Sequence, residues 1–215
     1  MENEITTVAD AVTHLTEALS KLVTDMGSMP IGTEKHFPYG WRKAAKGRTV
    51  WRLVEEAISQ NLELKSKEIG LNFFSPASSE VGVYDFSYKY DEDQTVFVNI
   101  KSAVKGARKN KDDISKALAL KAFLQADPDA ILLVASIEIS FAENPMNVSL
   151  EDCYVVPITW LPDIYVNPSN NGNLQSSKYK DISSATQRTN VGFLEELEAE
   201  IEVANEKKRK KRGLS

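Results

Sequence analysis

The stretch EVGVYDFSYKYDEDQTVFVNIKSA, residues 80–103, predicts two β-strands joined by an acidic turn. Asp85 lies near the start of the first strand, and Asn99-Ile100-Lys101 lies at the end of the second. Because successive side chains of a strand point to opposite faces, Asn99 and Lys101 share one face. The register decides whether Asp85 joins them, since a slip of one residue would turn it to the other face.

The chain after this hairpin predicts a crossover. A glycine-containing basic loop, SAVKGARKNKDD (102–113), precedes a helix, ISKALALKAFLQ (114–125), for which Asp112 or Asp113 is the expected N-cap. AILLVASIEISF (130–141) is typical of a strand buried on both faces. Strand, helix and strand in this order predict at least one parallel pair. A further strand is expected at 154–160, followed by an irregular, amide-rich segment.

Two helices and a short strand are predicted before the hairpin. Apolar residues at helical spacing span 4–26, and a second helix is expected over 48–62, before a strand-like GLNFF (70–74). The apolar arc of the second helix contains Val50, Trp51, Leu53, Val54, Ala57 and Ile58. Glu55 falls beside this arc, which places it near the core, although a solvated glutamate fits the pattern too.

Length and composition limit the classes of protein that the chain can belong to. At 215 residues we expect one domain over 1–206, followed by a basic, disordered tail at 207–215. A single Cys153 excludes an internal disulfide, and with His14 and His36 distant from it, a Cys/His zinc site is excluded too. No apolar run approaches the roughly 18 residues of a membrane span, so we expect a soluble protein.

Charge is distributed unevenly, which is relevant to nucleic-acid binding. The net charge is −5, but six consecutive basic residues occupy 207–212, so the remaining chain carries about −11. DNA contact must therefore depend on local patches. Candidate DNA-binding residues are Lys35, Arg42, Lys43, Lys46 and Arg48 in an aromatic-rich loop, Lys105, Arg108 and Lys109 in the glycine-containing loop, and Asn171, Asn173 and Gln175 in the amide-rich segment. Aromatics packed on the protein body, amides that only form turns, and a tail that only solubilises remain alternatives.

The hairpin carries residue types that suit phosphodiester hydrolysis. A carboxylate, an amide oxygen two residues before a lysine, and an auxiliary glutamate form a ligand set for a hard cation such as Mg²⁺. Such a cation neutralises phosphate charge and activates water, while the lysine stabilises developing charge. A surface hairpin with Asp85 and Lys101 as solvated charges is the alternative.

The pattern Tyr84-Asp85-Phe86, a turn, and Val98-Asn99-Ile100-Lys101 followed by a helix and a buried strand resembles the PD-(D/E)xK nuclease superfamily. Over about residues 48–141 it resembles, in particular, Type II restriction endonucleases of the EcoRV-like group. The resemblance implies an α/β restriction-endonuclease-like core with a mixed central β-sheet flanked by helices. It also implies Mg²⁺, double-stranded DNA as partner, a homodimer, and the prokaryotic cytoplasm.

Two positions depart from the family pattern. Tyr84 stands in place of proline, and Asn99 stands in place of the second acid, although some restriction enzymes also have asparagine there. The resemblance implies catalytic roles for Asp85, Asn99, Lys101 and Glu55, with Asp85, Asn99 and Glu55 holding the metal and Glu80 or Glu56 behind Glu55. A non-catalytic DNA-binding or interaction protein, and a non-specific repair or recombination nuclease, remain alternatives on the same scaffold.

Overall fold

The described residues form helices and strands in a mixed order, with four strands in succession between the second and third helices. The computed structural model describes residues 2–41, 46–78, 82–91, 94–106, 111–143, 145–169 and 172–211. Its helices are α1 (Glu2–Met26), α2 (Lys46–Lys65), α3 (Ala117–Ala126) and α4 (Asn190–Lys211). Its strands are β1 (Ser28–Gly32), β2 (Asn72–Pro76), β3 (Phe86–Lys89), β4 (Thr95–Val104), β5 (Asp112–Lys116), β6 (Ile131–Glu143), β7 (Met146–Pro157), β8 (Tyr165–Val166) and β9 (Asn173–Ser176). None of these helices combines the length and apolarity that crossing a bilayer requires.

A six-stranded mixed sheet, in the order β1-β7-β6-β4-β3-β2, confirms the predicted sheet architecture. β4 and β6 form a parallel pair from Val96↔Ile131 to Val104↔Ile139, and the other neighbouring strands are antiparallel. The connection between β4 and β6 contains α3, as a parallel pair requires. β3 and β4 form the predicted hairpin, but β4 continues to Val104, so Asn99 and Lys101 lie within the strand and not at its end.

Helices cover both faces of this sheet. On one face α1 and α2 pack on alternate residues of β4 and β6, among them Val98 and Leu133, both fully buried. On the other face α3 and α4 pack around Leu132 and Val134 of β6. The seven residues Ile131–Ile137 are all buried, which confirms the prediction of a strand covered on both faces.

The strand expected at 154–160 begins earlier, at Met146, and ends at Pro157. Glu151 and Asp152 are exposed at an irregularity in the β6–β7 register, where Glu138 pairs with Asp152 and Ile139 with Leu150. These two acidic residues interrupt the apolar alternation, so the sequence pattern did not predict the first half of the strand. Residues Ile158–Trp160 form a short 3-10 helix instead.

A second sheet of three strands, β5-β9-β8, was not predicted. The expected N-caps Asp112 and Asp113 lie in β5, and the helix starts later, at Ala117, without a side-chain cap. The predicted helix start at Ile114 was wrong because the spacing from Ile114 to Ala117 fits a helix, and a short strand with one buried residue shows no alternation. Backbone pairing with β9 decides the outcome.

Two helix predictions need correction. Trp51 and Leu53 were expected inside the apolar arc of α2, yet they are 37% and 56% exposed, because α2 packs through the narrower stripe Val50, Val54, Ile58 and Leu62. Residues 207–211 were expected to be disordered, yet they continue α4 as exposed helical residues. Lysine and arginine are good helix formers and are favoured at a helix C-terminus. Residues 212–215 lie outside the described residues.

The aromatic residues of the 31–48 segment partly pack on the protein body, as the alternative interpretation had it. Trp41 is buried, donates from Nε1 to the carbonyl oxygen of Ala142 at 2.8 Å, and stacks on Phe37 with 5.8 Å between ring centroids. Tyr39 is 80% exposed. This segment is therefore anchored next to the β6–β7 hairpin through two of its three aromatic rings.

Candidate functional site

Asp85 immediately precedes β3 and lies level with the Asn99–Ile100 step of β4. β3 pairs with β4 from Lys89↔Thr95 to Phe86↔Val98, and the Asp85 N–H then donates to the carbonyl oxygen of Val98 at 2.8 Å. The next N–H of β4 on that side, from Ile100, donates to Oδ2 of Asp85 at 2.6 Å. The side chain of Asp85 thus takes the place of a strand partner where β3 ends.

Asn99 is held in one orientation by its amide nitrogen. Its Nδ2 donates to the carbonyl oxygen of Val83 at 3.1 Å, and only 7% of the residue is exposed. Its Oδ1 is buried and has no hydrogen-bond partner among the described residues. An unsatisfied buried acceptor costs about 1–3 kcal/mol, so a donor or a cation at this oxygen would be stabilising.

Two grooves share the side chains of Asp85 and Lys101. We name them by size. The narrow groove, of about 250 Å³, is lined by Gly82, Asp85, Asn99, Lys101, Asp113, Ile114, Ser115, Lys116 and Asn173. The wide groove, of about 690 Å³, is lined by Trp51, Arg52, Glu55, Glu56, Ser59, Leu62, Pro76, Ala77, Asp85, Phe86, Ile100 and Lys101. Asp85 and Lys101 therefore lie where the two grooves meet.

Glu55 reaches this junction from α2. It accepts a hydrogen bond from Oγ of Ser102 at 3.3 Å, which ties α2 to β4. Burial raises the pKa of Glu55; the Lys101 charge opposes this, and the Asp85 charge adds to it. Both charges of the junction therefore act on Glu55.

The same environment shifts the pKa of Asp85. The residue is exposed overall, yet the protein atoms packed around its carboxylate raise its pKa. The hydrogen bond from Ile100 and the Lys101 charge act in the opposite direction. Two carboxyl groups with raised pKa values beside one ammonium group form a site where a further positive charge would be stabilising.

The other two candidate glutamates are less engaged. Glu56 lines the wide groove but is exposed, and its Oε1 accepts a hydrogen bond from Nε2 of Gln60 at 2.7 Å. Glu80 lies outside the described residues. Of the glutamates that the structure describes here, Glu55 is the one influenced by both Asp85 and Lys101.

The residues at the junction fit a hard divalent cation. Carboxylate and amide oxygens are the ligands that Mg²⁺ prefers, and Asn99 Oδ1 is a fixed oxygen without a protein donor. No group of three or more His, Cys, Asp or Glu residues with metal-binding geometry occurs in the described part of the chain.

The structure places only some of the predicted DNA-binding residues. Lys35 is exposed in the turn at 34–36, and Lys105 is exposed but paired with Glu151 at 2.9 Å. Lys46 and Arg48 lie in the first turns of α2, and nothing further is described of their side chains. Arg42, Lys43, Arg108, Lys109 and Asn171 lie outside the described residues.

The predicted amides Asn173 and Gln175 are bound to a carboxylate. Oδ2 of Asp113 accepts from Nδ2 of Asn173 at 3.0 Å, and Oδ1 of Asp113 accepts from Nε2 of Gln175 at 2.6 Å. Oε1 of Gln175 accepts in turn from Asn167 at 3.2 Å. Asn173 Oδ1 is buried and has no hydrogen-bond partner among the described residues. Asp113 thus joins β5 to β9 and fixes Asn173 in the wall of the narrow groove.

Sequence reasoning missed several groove residues. Arg52 was not among the candidates, but its guanidinium carbon lies 4.7 Å from the Trp51 ring centroid, and both residues line the wide groove. Lys116 and Asp113 were missed because their segment was predicted to be the start of a helix. An Arg next to a Trp in a basic segment is the sequence feature that could have indicated a binding role.

Comparison with known proteins finds likeness among solved structures. No protein-family model matches the chain, and no curated protein matches it either. Among solved structures, the chain is similar to the NlaIV restriction endonuclease, with 14% sequence identity and a TM-score of 0.41. The match covers 60% of this chain and 52% of that protein, so the chain spans about half the length of that structure. The likeness concerns fold over part of each chain and carries no information on individual residues.

Proposed function

We propose that this protein is a Mg²⁺-dependent endonuclease that hydrolyses phosphodiester bonds of double-stranded DNA at specific sequences, as Type II restriction enzymes do. The observation that carries the proposal is the junction of the two grooves, where Asp85 and Lys101 meet Glu55 on one side and the unpartnered Asn99 oxygen on the other. An open groove on each side of a charged centre suits a chain-like substrate that enters and leaves.

Oxygen atoms of three side chains at the junction supply the metal ligands in this proposal. Asp85 and Asn99 Oδ1 would hold Mg²⁺, with Glu55 as the supporting carboxylate. When bound, Mg²⁺ would neutralise phosphate charge and lower the pKa of a coordinated water molecule. The raised pKa values of Asp85 and Glu55 support this role, because a cation favours the ionised carboxylates that burial disfavours.

Lys101 carries the remaining chemistry. It shares a strand face with Asn99, lines both grooves, and acts electrostatically on both carboxylates. Its ammonium would orient the attacking water and stabilise the charge that develops on the phosphate oxygens. Asp85, whose carboxylate is fixed by the Ile100 N–H, would hold its metal-binding oxygen beside that ammonium.

Specific cleavage of both strands implies more than one catalytic centre. A palindromic site offers two equivalent phosphodiester bonds, so a homodimer with two-fold symmetry would place one junction at each. Asn173, Lys116 and Ser115 on the second wall of the narrow groove are the residues we assign to contacts with the bases and phosphates beside the cut.

The test is cleavage of unmethylated phage DNA in Mg²⁺ by the wild-type protein, by Lys101→Ala, and by Lys67→Ala as a control at an exposed lysine outside both grooves. We expect discrete fragments from the wild type and the control, and a loss of at least about 100-fold in rate from Lys101→Ala. EDTA should abolish cleavage. A continuous smear would indicate a non-specific nuclease.

A non-catalytic DNA-binding protein is the second candidate, and the neutral Asn99 is the observation that favours it. An amide is a weaker cation ligand than a carboxylate. If the wild type binds several DNAs yet cleaves none of them in Mg²⁺ or Mn²⁺, the catalytic proposal is wrong and the binding function stands.

A further inference from the structure

The C-terminal end of α4 carries an uncompensated cluster of positive charge. Lys207, Lys208, Arg209, Lys210 and Lys211 form the last helical residues described, and all five are exposed. None of the ion pairs in the described part of the chain involves them. The remaining chain carries about −11, and 207–212 is the longest basic run of the sequence, so this end of α4 is a local source of positive potential.

This cluster lies against the three-stranded sheet β5-β9-β8, which we call the small sheet. Lys207 Nζ lies 6.0 Å from the ring centroid of Tyr165 in β8, and Lys111 Nζ lies 4.1 Å from the same centroid. Tyr165 therefore joins the end of α4 to the residue that directly precedes β5. We call Lys111 together with Lys207–Lys211 the basic face.

The basic face adjoins the narrow groove through β5. Asp112 and Asp113 lie between them, and both carboxylates accept hydrogen bonds from neighbouring side chains. Lys111 is adjacent in the chain to Asp112, and the residues from Asp113 to Lys116 line the groove. Lys111 is two residues before Asp113, so its backbone lies within about 7 Å of the edge of the groove. One nucleotide of a DNA strand rises about 3.4 Å, so the basic face begins about two nucleotides beyond the groove.

We propose that the basic face binds the phosphate backbone of double-stranded DNA, beginning about two nucleotides beyond the narrow groove in which the cleaved bond is positioned. The inference rests on the proposed function and adds to it a second, sequence-independent contact surface. Stabilisation of the helix C-terminus by cations accounts for the end of α4, but it does not account for Lys111, which approaches the same tyrosine from another element.

The experiment compares two triple variants of the full chain with equal loss of charge. The first is Lys207→Gln, Lys208→Gln and Lys211→Gln, in the basic face. The control is Lys21→Gln, Lys65→Gln and Lys67→Gln, near the C-terminal ends of α1 and α2 and outside both grooves. Glutamine keeps the helix propensity of lysine. Binding to a duplex of about 30 bp is measured in EDTA between about 50 and 200 mM salt.

Each lost phosphate contact lowers the slope of log K against log[salt] by about 0.9, so the basic-face variant should lose about 2–3 units of slope and more than tenfold in affinity at about 100 mM salt. The control should stay within about 0.5 units of the wild type. Equal slopes for the two variants would overturn the proposal. The proposal would also be overturned if the basic-face variant lost binding to phosphatidylserine vesicles but not to the duplex.

The design separates this inference from the proposed function. EDTA prevents metal-dependent cleavage, so binding is measured whether or not the protein is a nuclease. If the wild type never cleaves DNA but the slope changes as expected, the basic face stands and the catalytic proposal fails. If cleavage is seen and the slope does not change, the nuclease stands and the basic face is wrong.

Discussion

The two walls of the narrow groove come from different kinds of sheet. One wall, from the β3–β4 hairpin, carries Asp85, Asn99 and Lys101 and is backed by the buried side chains of the six-stranded sheet. The other, from β5 and β9, carries Asp113 and Asn173 and belongs to the three-stranded sheet. The first wall is held mainly by burial of apolar surface, and the second depends more on hydrogen bonds from polar side chains.

In the proposed function, this difference would separate chemistry from DNA contact. Residues that perform phosphodiester chemistry would need fixed positions, which strands buried between two layers of helix provide. Residues that contact DNA would have to adjust to it, and the small sheet has three apolar anchors, Ile114, Val166 and Leu174, beside its network around Asp113. The hairpin wall should therefore be sensitive to apolar truncation, and the small-sheet wall to loss of a carboxylate.

The largest expected effect is a core truncation behind the hairpin wall. Leu133 of β6 is fully buried and lies in register with Val98 of β4, so Leu133→Ala removes packing on which the hairpin rests. We expect the free energy of unfolding to fall by about 2–5 kcal/mol. The control is Leu118→Ala in α3, where Leu118 is 68% exposed and a change within about 0.5 kcal/mol is expected. Equal losses in urea unfolding would contradict a wall held by burial.

Asn99→Asp tests whether the hairpin wall is prepared for a cation. In EDTA the new carboxylate would face the Val83 carbonyl oxygen that Nδ2 now donates to, and we expect a loss of about 1–3 kcal/mol in unfolding free energy. Added Mg²⁺ should recover that loss, by about 2.7 kcal/mol at a hundredfold excess over Kd.

Asn147→Asp is the matched control, since Asn147 Oδ1 is also buried without a partner but lines neither groove. Mg²⁺ should leave the stability of that variant unchanged. If Mg²⁺ stabilises both variants equally, or neither, the hairpin wall is not a cation site.

Much of the hairpin wall was predictable from sequence, and the small-sheet wall was not. Strand alternation placed Asn99 and Lys101 on one face, and the β-branched run at 130–141 predicted the parallel neighbour that the structure has. The register of Asp85 was not predictable, because it depends on the hydrogen bond from Ile100. β5, β8 and β9 have two to five residues each, and the carboxylate that joins β5 to β9 bonds amides about 60 positions away. No local pattern records such a contact.

Asp113→Ala tests the small-sheet wall. The change removes one acceptor for Asn173 and one for Gln175, and since the site is exposed we expect a loss of only about 0.5–1.5 kcal/mol. The small sheet should loosen before the rest of the fold, so hydrogen exchange of amides in β5 and β9 should speed up while β4 and β6 stay protected. The control is Asp129→Ala, also exposed and outside both grooves. Uniform acceleration in both sheets would contradict a separate small-sheet wall.

The smallest expected effect is the pH dependence that Glu55 adds to the hairpin wall. Burial raises the pKa of Glu55 in the folded protein, so the folded state holds this proton more tightly than the unfolded chain does. The contribution of Glu55 to stability is therefore complete below its unfolded pKa, and it is lost as pH rises through the higher folded value.

Without a metal, Glu55→Gln should gain stability relative to the wild type as pH rises across that window, measured by urea unfolding in EDTA. Glu56→Gln, at the neighbouring exposed glutamate, is the control for the loss of one carboxylate from α2. Mg²⁺ should reduce the difference between wild type and Glu55→Gln at the upper end of the window, because a cation at the junction favours the ionised carboxylate that burial disfavours. If the Glu55→Gln curve stays parallel to the wild type at every pH, Glu55 is a solvated residue and the cation site must rely on Asp85 and Asn99.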